Sequence, residues 1–204
     1  MVGRIRTDLN RGTDHDDRIK LAIEDAIKHY RARRLGFNMK RATSTTTADQ
    51  EYYGLPTDFL EVDSLRLLET SNYYERLTEV TFAWIDDTAN YQDFTSTPEK
   101  FAVQNRELRL YPKPDDTYTL QMSYMYGLGG VSAGAADSAT NTWMTEGEEL
   151  IRQHALADVL ENYIGGQESI LQAQVHQRRA ERAFRELKRR AEREQTTGRI
   201  ATWS

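Results

Sequence analysis

The sequence predicts an α+β fold. It reads as a small helical bundle, built from a first helix and two late helices, with an inserted antiparallel β block and an extended C-terminal tail. Three observations predict it. Apolar residues recur at helical spacing near both ends of the chain. Between roughly residues 41 and 126 the period falls to two. The helical and extended stretches are segregated rather than alternating, which argues for α+β over α/β.

The N-terminal segment, residues 1–40, carries the first helix of the bundle. Ile19, Ile23, Ala26, Ile27 and Tyr30 form one apolar stripe across residues 14–35. Thr13 is the expected N-cap, with Asp14, Asp16 and Asp17 favourable in the first turn. Arg31, Arg33 and Arg34 suit the C-terminal end, and Gly36 is the expected stop. The β block spans residues 41–126. Thr43 to Thr47 is β-prone. Gly54 and Pro56 break any helix before Phe59, and Leu65 and Leu67 share one face of a strand. The stretch from Leu77 to Ile85 fits either a strand or a short helical turn. Phe101 to Leu110 reads as two strands about a turn at Gln104–Glu107. Tyr118, Leu120, Met122, Tyr124 and Tyr126 alternate as the clearest strand.

Residues 127–144 are a flexible loop by composition, rich in Gly, Ala, Ser and Thr. The helical pair occupies 145–193. Thr145 and Glu148 have capping-box spacing, and Ile151, Ala155, Val159 and Tyr163 line one face before Gly165 and Gly166. The last helix carries a thin stripe of Ile170, Ala173, Ala180, Phe184, Leu187 and Ala191. Residues 194–204 form the tail.

The chain has 204 residues, 38% hydrophobic and 29% charged, with net charge −5 and mean hydropathy −0.75. There is no cysteine, which excludes disulfide scaffolds, thiolate metal sites and cysteine nucleophiles. No apolar run is long enough for a transmembrane helix, and Met1 to Arg6 has no apolar signal core. The expectation is a soluble, intracellular or particle-associated protein. Charge is divided by segment: residues 1–40 carry +4, residues 41–150 carry −12 and residues 151–204 carry +3. Such asymmetry suggests two surfaces with different neighbours. The low apolar content suggests that neighbours complete the burial.

No catalytic constellation emerges. Asp14, His15, Asp16 and Asp17 fan around a helix start and complement its dipole. His154 has only Asp158 at metal-ligand spacing, and one such pair is weak. The glycines at 127–130 lack a P-loop's Gly-Lys-Ser/Thr. Ser132 has no nucleophile-elbow context. Asp86–Asp87 and Asp115–Asp116 sit in turn-like, solvated runs. No enzyme activity, cofactor or metal is expected. The helix from Arg178 to Arg193 holds eight Lys and Arg. It therefore supports an alternative reading as a nucleic-acid-binding accessory protein.

Four motifs follow one another at regular intervals. They are Tyr53 to Phe59 (Tyr-Gly-Leu-Pro-Thr-Asp-Phe), Pro98 to Val103, Leu108 to Pro114 (Leu-Arg-Leu-Tyr-Pro-Lys-Pro) and Tyr118 to Tyr124. A small-residue loop, Asn141, Trp143 and a long helix come next. This series, over roughly residues 8–190, resembles the head-to-tail adaptor (connector, or head-completion) proteins of tailed bacteriophages.

The resemblance implies a structural virion protein. It would form a ring of twelve copies beneath the portal, complete the DNA channel and provide a platform for the tail. The implied partners are the portal protein, a downstream tail protein and further copies of the chain. Genomic DNA passes through without sequence-specific binding, and no membrane is involved. The implied location is the head–tail interface of the virion, after assembly in the host cytoplasm. On this reading the tail docks on the portal through Arg189, Arg190, Arg193, Arg199, Ile200 and Trp203. The helices that pack between subunits carry Ile19, Ile23, Ile27, Tyr30, Ile151, Val159, Phe184 and Leu187. Some acidic residues of 41–150 are expected to face the channel.

Overall fold

The computed structural model describes residues 1–70, 73–90, 94–127 and 140–197. The chain divides into two compact units, Met1–Asn38 with Gly127–Ser204, and Met39–Tyr126. The fold is α+β.

The first unit opens with a helix absent from the sequence reading, α1 (Val2–Asp8). Seven residues carry too little periodicity to announce it. Val2 and Ile5 are buried in the core. Ion pairs hold its polar side: Arg6 with Asp16, Arg4 with Glu148, and Asp8 with Arg152 at 3.5 Å. A 3-10 turn at Thr13–His15 precedes α2 (Asp16–Tyr30). Thr13 therefore lies inside that turn and is not the cap of α2. The helix also stops five residues short of the expected end. Asn38 explains this, because its amide captures the backbone after Tyr30. Its Oδ1 accepts from Leu35 N–H at 2.9 Å and its Nδ2 donates to the Arg33 carbonyl at 2.8 Å. Gly36, at φ +76, lies within that captured loop rather than at the helix end.

The second unit begins with β1 (Met39–Thr45), β2 (Tyr52–Gly54), β3 (Phe59–Thr70), β4 (Tyr73–Arg76) and β5 (Thr78–Glu79). Next comes α3 (Phe82–Ala89), whose N-cap Thr81 accepts from Trp84 N–H at 3.1 Å. The ambiguous stretch from Leu77 thus divides into a short strand and a capped helix. β6 (Lys100–Gln104), β7 (Glu107–Tyr111) and β8 (Thr119–Tyr126) complete the unit. Two four-stranded sheets result, ordered β1-β8-β3-β4 and β2-β7-β6-β5. The block is not wholly antiparallel, since β5 pairs parallel with β6. The crossover through α3 returns the chain in the same direction, as parallel strands require. The β6–β7 turn falls at the expected place. Asn105 and Arg106 both have positive φ, the geometry that matches strand twist in a two-residue hairpin. In the first sheet, Leu65 faces Met122 and Leu67 faces Leu120 across β3 and β8, and all four are buried.

The first unit resumes with α4 (Thr142–Thr145), whose N-cap Asn141 accepts from Met144 N–H at 3.1 Å. α5 (Glu148–Val159) follows Gly147. The expected capping box does not form, because the Thr145 hydroxyl donates back to the Thr142 carbonyl at 3.1 Å. A π-helical turn at Leu160–Ile164 ends α5, and Gly165 and Gly166 take positive φ. α6 (Gln167–Thr197) is 31 residues long, four residues past the expected end.

α5 packs against both α2 and α6. The core joins Ile19, Ile23 and Ile27 of α2 to Ile151, Ala155 and Val159 of α5, with Ala180 from α6. Trp143 is fully buried and meets Phe37 edge-on at 5.0 Å. Alanines at 173, 180 and 191 are the buried positions of α6, so its backbone approaches closely and little room remains beside them. No described helix is long and apolar enough to cross a membrane.

Tyr30 and His154 form a polar pair beside this packing. The Tyr30 hydroxyl lies 3.2 Å from His154 Nδ1. The His154 ring lies 5.1 Å from His29, and Tyr30 stacks on Phe184 at 5.5 Å. Burial, reinforced by His29, lowers the His154 pKa below 6.5, while Asp158 opposes the shift.

Two outcomes follow from this packing. Ala180→Leu overfills the α6 contact and costs about 1–3 kcal/mol, read as a lower urea midpoint with unchanged slope. Because the folded state resists protonating His154, its stabilising effect is complete above pH 6.5 and is lost as pH falls toward the lower folded pKa. His154→Gln flattens that acid-side loss in melting curves. An unchanged pH dependence excludes His154 as its source.

Candidate functional site

The eight helix residues assigned to subunit packing come together in one place. Ile19, Ile23, Ile27, Tyr30, Ile151 and Val159 are buried members of one cluster, with Phe184 and Leu187 partly buried against it. That cluster lies inside a single chain. Their side chains are therefore occupied by the protomer's own core, and other residues carry the helix surfaces open to a neighbour. Leu21, Tyr163, Ile170, Leu171 and Val175 are exposed. Tyr163 and Ile170 thus leave the buried stripes on which their spacing placed them. Tyr163 lies in the π-turn that ends α5, at the edge of the bundle. Its ring lies under the Arg18 guanidinium, 4.9 Å from the centroid.

The basic end of α6 remains helical through Thr197. Arg189, Arg190 and Arg193 are therefore helix residues, all exposed. Arg190 ties α6 to the bundle, pairing with Glu194 at 3.0 Å and Glu146 at 3.8 Å. Beside it a groove of about 410 Å³ is lined by Leu35, Phe37, Leu187 and Arg190, among others. Arg182, Arg185 and Arg189 line a second, open groove of about 420 Å³ with Glu186. The ion pairs along this helix include Arg182–Glu186 and Lys188–Glu192. Arg199, Ile200 and Trp203 lie outside the described residues, as does nearly all of the glycine-rich loop. Among the described residues no group of three or more His, Asp or Glu could hold a metal ion.

The β unit explains why its motifs occur together. Asp58, from the Leu-Pro-Thr-Asp-Phe turn, accepts from Lys40 Nζ at 2.6 Å and from the Tyr124 hydroxyl at 3.0 Å. The Lys40 hydrogen bond is the main cause that lowers the Asp58 pKa. Phe59 stacks on Tyr124 at 5.8 Å, and the Lys40 ammonium sits 4.0 Å over the Tyr126 ring. Two motifs more than sixty residues apart are thus one structural clamp.

A second node was missed by sequence reasoning. Arg109 lies between two apolar strand residues, and alternation marks it as outward-facing. α3 covers that side of the sheet, so Arg109 is buried. It pairs with Glu51 at 2.5 Å and with Asp86, and its guanidinium lies near the Tyr52 and Phe82 rings. Burial works against its charge, but the two carboxylates outweigh it and raise the pKa. Asp86, read from sequence as a solvated turn residue, is half of this anchor. Around it Tyr111 is edge-on to Trp84 at 5.7 Å and to Phe94 at 6.3 Å. No spacing signal marks this cluster, because its members come from four separate segments. Arg109→Ala strands Glu51 beside an emptied site and destabilises the β unit by roughly 3 kcal/mol, measured by urea unfolding.

The arrangement offers surfaces and clamps. The motifs that suggested a family are the ones that meet in the β unit. A search of curated proteins finds no match to this chain. The family model described as SU10 adaptor protein matches residues 1–202. The chain therefore belongs to the SU10 adaptor protein family, a family of bacteriophage structural adaptors, in keeping with the head-to-tail adaptor class that its motifs resemble.

Proposed function

We propose that this chain is the head-to-tail adaptor of a tailed phage. It assembles as a ring beneath the portal, twelve copies being the number the resemblance implies. The ring completes the DNA channel and gives the tail its platform. The role is structural and non-enzymatic, and its place is the head–tail interface of the virion. The observation that carries this reading is the family match across residues 1–202. The division of charge supports it. Residues 39–126 carry eight basic and fifteen acidic residues, net −7. Acidic side chains of this unit facing the channel leave DNA free to move, since they repel phosphate.

The portal contact is assigned to the end of α6 and the segment beyond it. Arg189, Arg190 and Arg193 present charge, while Ile200 and Trp203 provide apolar anchors of the kind that dominate interfaces. The subunit-packing helices are α2, α5 and α6, acting through their outward faces.

The alternative, a nucleic-acid-binding accessory protein, is favoured by the exposed groove of Arg182, Arg185 and Arg189. It requires DNA affinity that falls steeply with salt, which a gel shift at low and moderate salt detects.

The main test is the mass of the purified chain with and without portal protein. The full chain forms a multi-copy complex on the portal. A chain truncated after Glu194 keeps its fold and its self-association but no longer binds the portal. Unchanged portal affinity in the truncated chain refutes the tail assignment, and a single copy bound per portal refutes the ring.

A further inference from the structure

We infer that the aromatic face of the β unit receives the arginine stripe of α6 from a second copy of this chain. The inference rests on the self-assembly proposed above and names the two surfaces that meet in it.

The receiving face lies around α3 and β7. Tyr52, Trp84 and Phe94 are 44%, 38% and 48% exposed. They are large apolar rings, yet they are held in place. Trp84 and Phe94 brace against Tyr111, and Tyr52 lies against the buried Arg109. Fixed, exposed aromatic rings lose little entropy on contact and are the commonest interface anchors. The rim carries carboxylates. Asp87 is exposed, and the Glu99 side chain is 71% exposed while pairing loosely with Lys100 at 3.5 Å. The Lys100 ammonium lies 5.2 Å from the Trp84 ring, so an incoming guanidinium replaces or joins a cation already drawn to this face. Such a face suits a cation that can both stack on a ring and pair with a carboxylate. Guanidinium does both, whereas a lysine ammonium cannot stack as a plane.

The same chain displays such groups. Arg182, Arg185 and Arg189 follow the i, i+3, i+7 spacing of one helix face and line an open groove. The stretch from Arg178 to Arg193 holds eight basic and three acidic residues, net +5, against −7 for the unit that bears the aromatic face. Two β units repel one another, as do two α6 faces, while a β unit and an α6 attract. The contact is thus between unlike surfaces. Contacts of that kind repeat head to tail, and they close into a ring when the rotation between neighbours allows. A nucleic acid could satisfy the arginines but is repelled by the rim carboxylates, and it leaves the aromatic face uncovered.

The experiment uses three full-length proteins: wild type, Trp84→Ala/Phe94→Ala, and Arg182→Ala/Arg185→Ala/Arg189→Ala. The arginine variant replaces exposed helix residues by the best helix former, so its fold is not at risk. Thermal melts check the aromatic variant. Sedimentation is followed up to millimolar chain at low and moderate salt. Wild type self-associates, more weakly as salt rises. Each variant alone loses at least about tenfold in self-association. The two variants mixed form one-to-one pairs that do not grow, because each supplies the surface the other lacks.

Variants that self-associate like wild type overturn this contact and leave the ring reading standing. So does a mixture that shows no pairing. An arginine variant that loses DNA binding but self-associates normally also overturns it, and assigns the stripe to nucleic acid. A wild-type chain that stays monomeric at every concentration overturns the contact as well, and the ring reading is then decided by the portal experiment alone.

Discussion

The helical unit depends on one long-range contact, the burial of the α2 isoleucines against α5. Ile19, Ile23 and Ile27 belong to the first part of the chain, and Ile151, Ala155 and Val159 to the last. The entire β unit lies between them in sequence. Closing so long a loop costs entropy before any contact forms. Each fully buried isoleucine returns about 1.5–3 kcal/mol, so the stripe must come together as a set. The remaining parts of the unit are arranged on that contact. α1 covers one side of it with Val2 and Ile5, and α6 reaches it through alanine. The loop after α2 is gathered by Asn38, whose amide serves backbone groups that no helix or strand serves.

The β unit is secured in a different way. Its two polar clamps bring together residues that are far apart in the chain. Lys40, Asp58 and Tyr124 tie the start of β3 to β1 and β8. Arg109 ties the segment before β2 and the helix α3 to β7. Charges placed in this way add little stability over apolar packing, but a slip of β7 is expensive, because it strands the buried Arg109 charge. A short parallel strand, a crossover helix and a tight hairpin are thereby held in one arrangement.

Neither unit has used up its outer surface. The helices bury Ile19, Ile23, Ile27 and Ile151 and leave arginines outside, while the sheets bury Leu65, Leu67, Leu110 and Leu120 and leave aromatic rings and carboxylates outside. The net charge of −5 conceals this division. Surfaces of opposite sign give one chain two kinds of contact to offer, and like surfaces do not stick to one another.

The sequence by itself determined the fold class, the α2 and α5 stripes, the hairpin at Asn105–Arg106 and the strand through Tyr118–Tyr126. All of these are local: a side-chain period or a turn that a few neighbouring residues specify. It also placed the motifs that carry the family. The tertiary structure alone decided the rest. α1 is too short to show a period and exists because Val2 and Ile5 find a core. Asn38 ended α2 early by competing for backbone groups, which no propensity anticipates. Tyr163 stands exposed at the end of α5, where the regular winding stops. Arg109, Asp86, Trp84 and Phe94 became a single cluster only when α3 closed over β7. Residues that must serve a partner outside their own segment are legible only once that segment has met its neighbour.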